Sequence, residues 1–134
     1  MTDMELINAA LDAMGRAYAP YSGFTVGAAL LTDGGEVYTG CNVENASYGA
    51  CNCAERTAVF KAVSDGKVKY KGIAVVGGKG GLVRSFCAPC GICRQVMAEF
   101  ADDNFFVLLY DGEKTQKLTL SELLPHSFTG ENLE

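Results

Sequence analysis

Near the start of the chain, Leu6, Ala10, Leu11, Met14 and Tyr18 recur at helical spacing, which predicts an amphipathic helix with one apolar face. Thr2 followed by Glu5 fits a capping box that opens it. The helix should end between Gly15 and Ala19, because Pro20 enforces a break. Phe24 to Leu31 is apolar and β-prone, Asp33-Gly34-Gly35 is a tight turn, and Glu36 to Cys41 is the return strand. Together they predict a β-hairpin.

Asn52 can cap a second helix from Cys53 to about Ser64, with Ala54, Ala58, Val59, Ala62 and Val63 inward and Gly66 as its stop. Gly72 to Val76 is a short apolar run bounded by glycine, the pattern of a central strand covered on both faces. Gly77 to Gly81 lacks the Gly-Lys-Ser/Thr ending of a Walker loop and is expected to be a flexible turn. Pro89 sits where a third helix can begin, with Ile92, Val96, Met97 and Phe100 as its apolar face. Phe105 to Tyr110 is another buried strand, Asp111-Gly112 a turn, and Gln116 to Leu120 a final strand. Ser121 to Leu124 makes a short helical turn before a surface tail from Pro125 to Phe128. The order α-β-β-α-β-α-β-β implies an α/β fold, one mixed sheet with helices on its faces. Both helices that carry cysteines near their starts follow a strand, so their N-termini can meet at the sheet edge where ligands bind in open α/β folds.

Composition narrows the function. A length of 134 residues, 49% of them hydrophobic, suits a single domain with a real core. The formal charge of −5 argues against nucleic acid as the main partner, because a phosphate backbone selects basic faces. No apolar run approaches a membrane span, and the acidic N-terminus lacks the pattern of a signal peptide. A cytoplasmic location is expected. In a reducing compartment six cysteines, clustered as Cys-x-Cys and Cys-x-x-Cys, point to metal or chemistry rather than disulfides.

Cys53, Cys90 and Cys93 suit Zn²⁺, since the last two are one helical turn apart and all three lie at helix starts. Helix N-termini favour thiolates. Three protein ligands leave a fourth position open, the mark of a catalytic zinc; a closed site that also uses Cys51 is the structural alternative. Glu55 sits two residues after Cys53. Glutamate in a first turn is ordinary helix-dipole chemistry, but beside an open zinc it becomes a general base. Arg56 can be a surface arginine, or it can reach the cysteine cluster and withdraw charge from a three-thiolate centre. Asn42 and Glu44 place an amide and a carboxylate at the end of a strand, where turn residues are the ordinary reading. His126, the one histidine, lies in the tail and is expected in solvent. Cys41, Cys51 and Cys87 are expected to be semi-buried thiols.

Cys53-Ala54-Glu55 with Pro89-Cys90-Gly91-Ile92-Cys93 resembles the signature of the zinc-dependent deaminases. Pro20 to Leu30, Asn42-Val43-Glu44-Asn45-Ala46, Cys53 to Ala58, Cys90 to Glu99 and Leu123-Leu124-Pro125 before Phe128 resemble the small homotetrameric cytidine deaminases in their order. Ile92 departs from the small residue common between the two cysteines. The resemblance implies a three-layer α/β/α fold with a mixed five-stranded sheet and one Zn²⁺ per chain. It implies hydrolytic deamination of cytidine and 2′-deoxycytidine in pyrimidine salvage, with Glu55 carrying protons. It also implies substrate contacts from Phe24, Asn42, Glu44, Ala46, Tyr48, the Ala54 N–H and Phe128, with Phe128 supplied by a neighbouring subunit of a homotetramer. Two rivals stand beside this expectation: a deaminase of another amino-heterocycle, and a non-enzymatic zinc-stabilised module.

Overall fold

The computed structural model describes residues 1–134. The capping box forms as its residues dictate: Glu5 N donates to Thr2 Oγ1 and Thr2 N donates to the Glu5 carboxylate. Two otherwise orphaned donors are thereby satisfied. Helix α1 (Asp3–Met14) buries Leu6, Ile7, Ala10, Ala13 and Met14. Tyr18, expected on that helix, lies beyond its end and is 57% exposed. Its backbone prefers a β partner: Tyr18 N donates to Asn42 O at 3.0 Å and Glu44 N donates to Tyr18 O at 2.8 Å.

Strands β1 (Phe24–Thr32) and β2 (Val37–Cys41) form the expected antiparallel hairpin. Strand β3 (Tyr70–Lys79) pairs antiparallel with the other edge of β1, β4 (Phe106–Tyr110) runs parallel to β3, and β5 (Thr115–Thr119) returns antiparallel. The sheet order is β2-β1-β3-β4-β5, a mixed five-stranded sheet.

Alternation along the central strands sends side chains to two cores. Ala28, Leu30, Ile73, Val75, Val107 and Leu109 pack with α2 (Ala54–Ser64) and α3 (Gly91–Phe100). Ala29, Ala74, Val76 and Leu108 pack with α1. A period of two on strands covered from both sides gives a three-layer α/β/α sandwich.

Four local expectations change. Gly77, Gly78 and Lys79 continue β3 opposite Val26, Thr25 and Phe24, where a flexible turn was expected. A Cβ on Gly78 would lie 1.7 Å from Leu82 O, so glycine serves close packing there, and the turn itself falls on Gly80 and Gly81 at positive φ. Helix α2 begins one residue late: Cys53 is its N-cap, and Asn52 instead donates to Thr57 Oγ1 at 3.0 Å. Val63 is 36% exposed in the last turn of α2, where Ala62 takes the buried position. On α3, Ile92 is 62% exposed while Cys93 and Met97 take the buried face; Cys90 caps the helix, which turns the residue two positions on toward solvent.

One contact aligns the site. A Cβ on Gly40 would lie 2.4 Å from Ala54 O and 2.6 Å from Ala58 N. The backbone of α2 therefore rests directly on β2. This close approach sets the height of the first helical turn, which carries Cys53, Glu55 and Arg56.

Candidate active site

The N-caps of α2 and α3 are Cys53 and Cys90, and Cys93 follows one turn into α3. Their sulfurs converge: Cys53 Sγ is 3.7 Å from Cys90 Sγ, and Cys90 Sγ is 3.4 Å from Cys93 Sγ. All three lie within 4.8 Å of one another. Tetrahedral thiolates at the usual Zn–S distance sit about 3.8 Å apart, so the spacing matches a Zn²⁺ ion with little rearrangement. Cys51 is not in the group. Its sulfur accepts from Asn45 N at 3.3 Å and faces Asn45 O, which removes the fourth protein ligand that a closed site needs.

Charge around the sulfurs fits a cation as well. Arg56 Nη2 donates to Cys53 Sγ at 3.3 Å. Hydrogen bonds from the Cys93 thiol and then Arg56 draw the Cys53 thiol down to about 5, against an opposing effect of burial. The Cys93 thiol is pushed up, because its proton is held by Cys53 and because it is buried. Arg56 Nε is buried without a partner. A donor left over beside three sulfurs suits a cluster that carries more negative charge than thiols alone, as three thiolates on one metal do.

Glu55 is 4% exposed. Burial raises its carboxyl to about 7, aided by the Cys53 charge and opposed by its own backbone N–H, the Cys93 thiol and Arg56. A carboxyl with that value can hold or release a proton near neutral pH.

These groups open onto a cavity of about 420 Å³. Asn42, Glu44 and Tyr48 line it from the loop after β2, Cys53, Ala54, Glu55 and Arg56 from α2, and Cys90 from α3. Cys93 is buried behind them. Phe24, Ala46 and Phe128 are not among the lining residues. Phe24 sits close by, its ring edge and Cys87 Sγ both crowding the space over Gly77. Phe128 is 58% exposed, with its carbonyl accepting from Gln95 Nε2 at 2.8 Å. His126 is exposed in the tail. Val26 and Cys87 also line the cavity and were not foreseen as site residues. For Cys87 a signal existed, its position three residues before Cys90, and burial raises its thiol to about 11. A slightly larger cleft of about 460 Å³ beside the end of α3 holds acidic and small residues and no cysteine. Its chemistry offers nothing comparable.

The sugar-binding candidates are both anchored. Asn42 donates from Nδ2 to Phe24 O at 2.9 Å and accepts at Oδ1 from Val26 N at 2.8 Å. Its amide thus prolongs the β2–β1 ladder and keeps one lone pair and one N–H for a ligand. Glu44 Oε1 accepts from Tyr21 N at 2.9 Å and Ser22 N at 3.1 Å, and Oε2 accepts from Ser22 Oγ. These bonds, the Ser22 hydroxyl first, hold the Glu44 carboxyl below its ordinary value.

Residues 1–109 match the family described as the cytidine and deoxycytidylate deaminase zinc-binding region. A cytidine deaminase of Halalkalibacterium halodurans is 51% identical over 130 residues, covering 96% of this chain and 95% of the relative. One from Sporosarcina psychrophila is 48% identical, over 96% and 93% of the two chains. Among solved structures, cytidine deaminase from Burkholderia pseudomallei superposes with a TM-score of 0.88 at 49% identity, covering 96% of this chain and 100% of the other.

Proposed function

This chain belongs to the cytidine and deoxycytidylate deaminase family, and from that premise we propose how its residues carry out the reaction. The protein is an enzyme that deaminates cytidine to uridine and ammonia, and its cofactor is one zinc ion. We assign Cys53, Cys90 and Cys93 as the ligands, on the strength of their sulfur spacing. Bound Zn²⁺ supplies Lewis acidity, which makes water a nucleophile at neutral pH.

The chain's own groups do the rest. Glu55 takes a proton from the attacking water and delivers it to N3 of the cytosine ring as the water oxygen bonds to C4. It then carries the water's second proton to the exocyclic amine, so that the C4–N bond breaks and ammonia leaves while C4=O forms. The Ala54 N–H binds the pyrimidine carbonyl. Asn42 and Glu44 hold the sugar hydroxyls, with Ala46 and Tyr48 on the same loop, and Phe24 packs on the base. Arg56 withdraws charge from Cys53, which keeps a three-thiolate centre acidic enough to work.

The observation that carries this reading is Glu55, buried at 4% exposure with a carboxyl near 7, in the cavity that also holds the cysteine cluster. Glu55→Gln tests it. The variant is expected to keep its zinc and to lose cytidine turnover by roughly 10²–10⁴-fold, the usual contribution of a general acid–base. Turnover within tenfold of wild type would overturn the role. An ultraviolet absorbance assay on 2′-deoxycytidine tests the broader substrate range in pyrimidine salvage, and absence of turnover would confine the enzyme to ribonucleosides.

We infer a homotetramer with sites shared between subunits. Tyr48 and Ile92, which line the cavity, are 74% and 62% exposed, and Phe128, tied through its carbonyl to Gln95, is 58% exposed, apolar surface of the kind that marks an interface. We also assign the cytoplasm, because six cysteines with no disulfide among them suit a reducing compartment. Recovery from an exported fraction would count against that. No helix is long and apolar enough to cross a membrane.

A further inference from the structure

Ser22 lies at the turn before β1, outside the residues assigned above to binding or catalysis, and its hydroxyl has two partners. Its oxygen accepts from Phe24 N at 2.9 Å. Its proton goes to Glu44 Oε2. A serine hydroxyl has one proton and rotates to suit its surroundings; the bond from Phe24 N occupies one lone pair and fixes the rotation that points the proton at the carboxylate. The backbone N–H groups of Tyr21 and Ser22 hold the other carboxylate oxygen. Glu44 is therefore clamped at both oxygens by a turn 22 residues earlier in the chain, and it lines the cavity with the cysteine cluster.

We propose that Ser22 is a positioning residue for nucleoside recognition: its hydroxyl fixes the Glu44 carboxylate in the orientation that accepts hydrogen bonds from the sugar. The inference rests on the reading of Glu44 as a sugar-binding group. The clamp uses three donors on the protein side, and a carboxylate offers about four lone-pair sites. Capacity is left for a sugar hydroxyl without loss of the clamp. Without the Ser22 hydroxyl the carboxylate is held at Oε1 alone, by the Tyr21 and Ser22 N–H groups, and Oε2 can swing about that anchor, since Glu44 is only partly covered. The chemistry at C4 does not pass through either residue, so the loss should fall on binding.

The experiment compares cytidine with 2′,3′-dideoxycytidine, which keeps the base and lacks both ring hydroxyls, on zinc-loaded wild type, Ser22→Ala and Ser22→Thr. For Ser22→Ala the expected result is a KM for cytidine raised roughly tenfold, the size of a hydrogen bond to a charged group, with kcat within about twofold. The kcat/KM for dideoxycytidine should be unchanged, and Ser22→Thr, which restores a hydroxyl, should recover the cytidine KM. Ser22 is exposed, so the variants are expected to fold, and an unchanged Tm confirms it. Equal losses on the two substrates, a fall in kcat with KM unchanged, or no effect on cytidine would overturn the role of Ser22 while leaving Glu44 intact. A wild-type enzyme that treats the two substrates alike would overturn the sugar role of Glu44 itself, and this inference with it.

Discussion

At the scale of single residues, the sharpest feature is the arginine beside the sulfurs. Arg56 donates to Cys53 Sγ through Nη2 while its Nε is buried without a partner. A guanidinium in that place lowers the electron density on sulfur, and partners of metal ligands typically matter by roughly 10–100-fold in affinity or activity. Arg56→Ala is therefore expected to keep one zinc per chain, as in the native site, and to lose kcat by about that range. Zinc content and kcat measured on the same preparation check it, and full occupancy with unchanged kcat would remove Arg56 from the mechanism. Residue type and spacing exposed the three cysteines before any fold was known, and Glu55 stood out only because it falls two residues after one of them, since glutamate in a first helical turn is common by itself. Val26 was not legible in this way: it lines the cavity only because β1 passes close to it, and nothing in its type announces that. Cys87 carried a signal in its spacing from Cys90, but only the path of the loop after β3 brings it to the cavity.

At the scale of elements, the site depends on how near α2 lies to β2. Gly40 leaves no room for a side chain, with Ala54 O and Ala58 N at 2.4 and 2.6 Å from a would-be Cβ. Gly40→Ala must lift the first turn of α2, and overpacking of this kind costs about 1–3 kcal/mol. Lower Tm is expected, together with weaker zinc retention during dialysis against a mild chelator, because Cys53 moves while Cys90 and Cys93 stay. Loss of Tm with wild-type zinc retention would show that α2 can shift without its N-cap. Hydrophobic periodicity placed all three long helices and all five strands to within a few residues. It erred where a backbone group had a better partner than the local pattern suggested, as at Tyr18, which pairs with the 42–44 segment. It erred again at Gly77 and Gly78, which a composition rule assigns to a turn and the ladder to β1 claims as strand.

At the scale of the whole molecule, the apolar residues left in solvent carry the argument. Phe24 at 40%, Tyr21 at 54% and Tyr48 at 74% exposure surround the Glu44 clamp, and the Tyr21 and Tyr48 rings meet edge to face at 6.1 Å. If subunits share their sites, sedimentation equilibrium of the zinc-loaded protein should give four times the 14.2 kDa chain mass. Tyr48→Asp should then lower both the assembled mass and cytidine turnover, since a buried unpaired charge opposes association. A fully active monomer at assay concentration would refute the shared site. The sequence by itself determined the alternation and periodicity of the elements, the residue types able to bind zinc and move protons, and a deaminase signature that spans them. Those properties depend on local spacing alone. Only the tertiary structure decided that Cys51 stays away from the cluster, that Ser22 clamps Glu44, and that Arg56 meets Cys53. Each depends on a side chain's direction in the packed fold: the Ser22 clamp joins residues 22 apart in the chain, while the Arg56 and Cys51 contacts are short in sequence but are single choices among several directions that spacing alone leaves open.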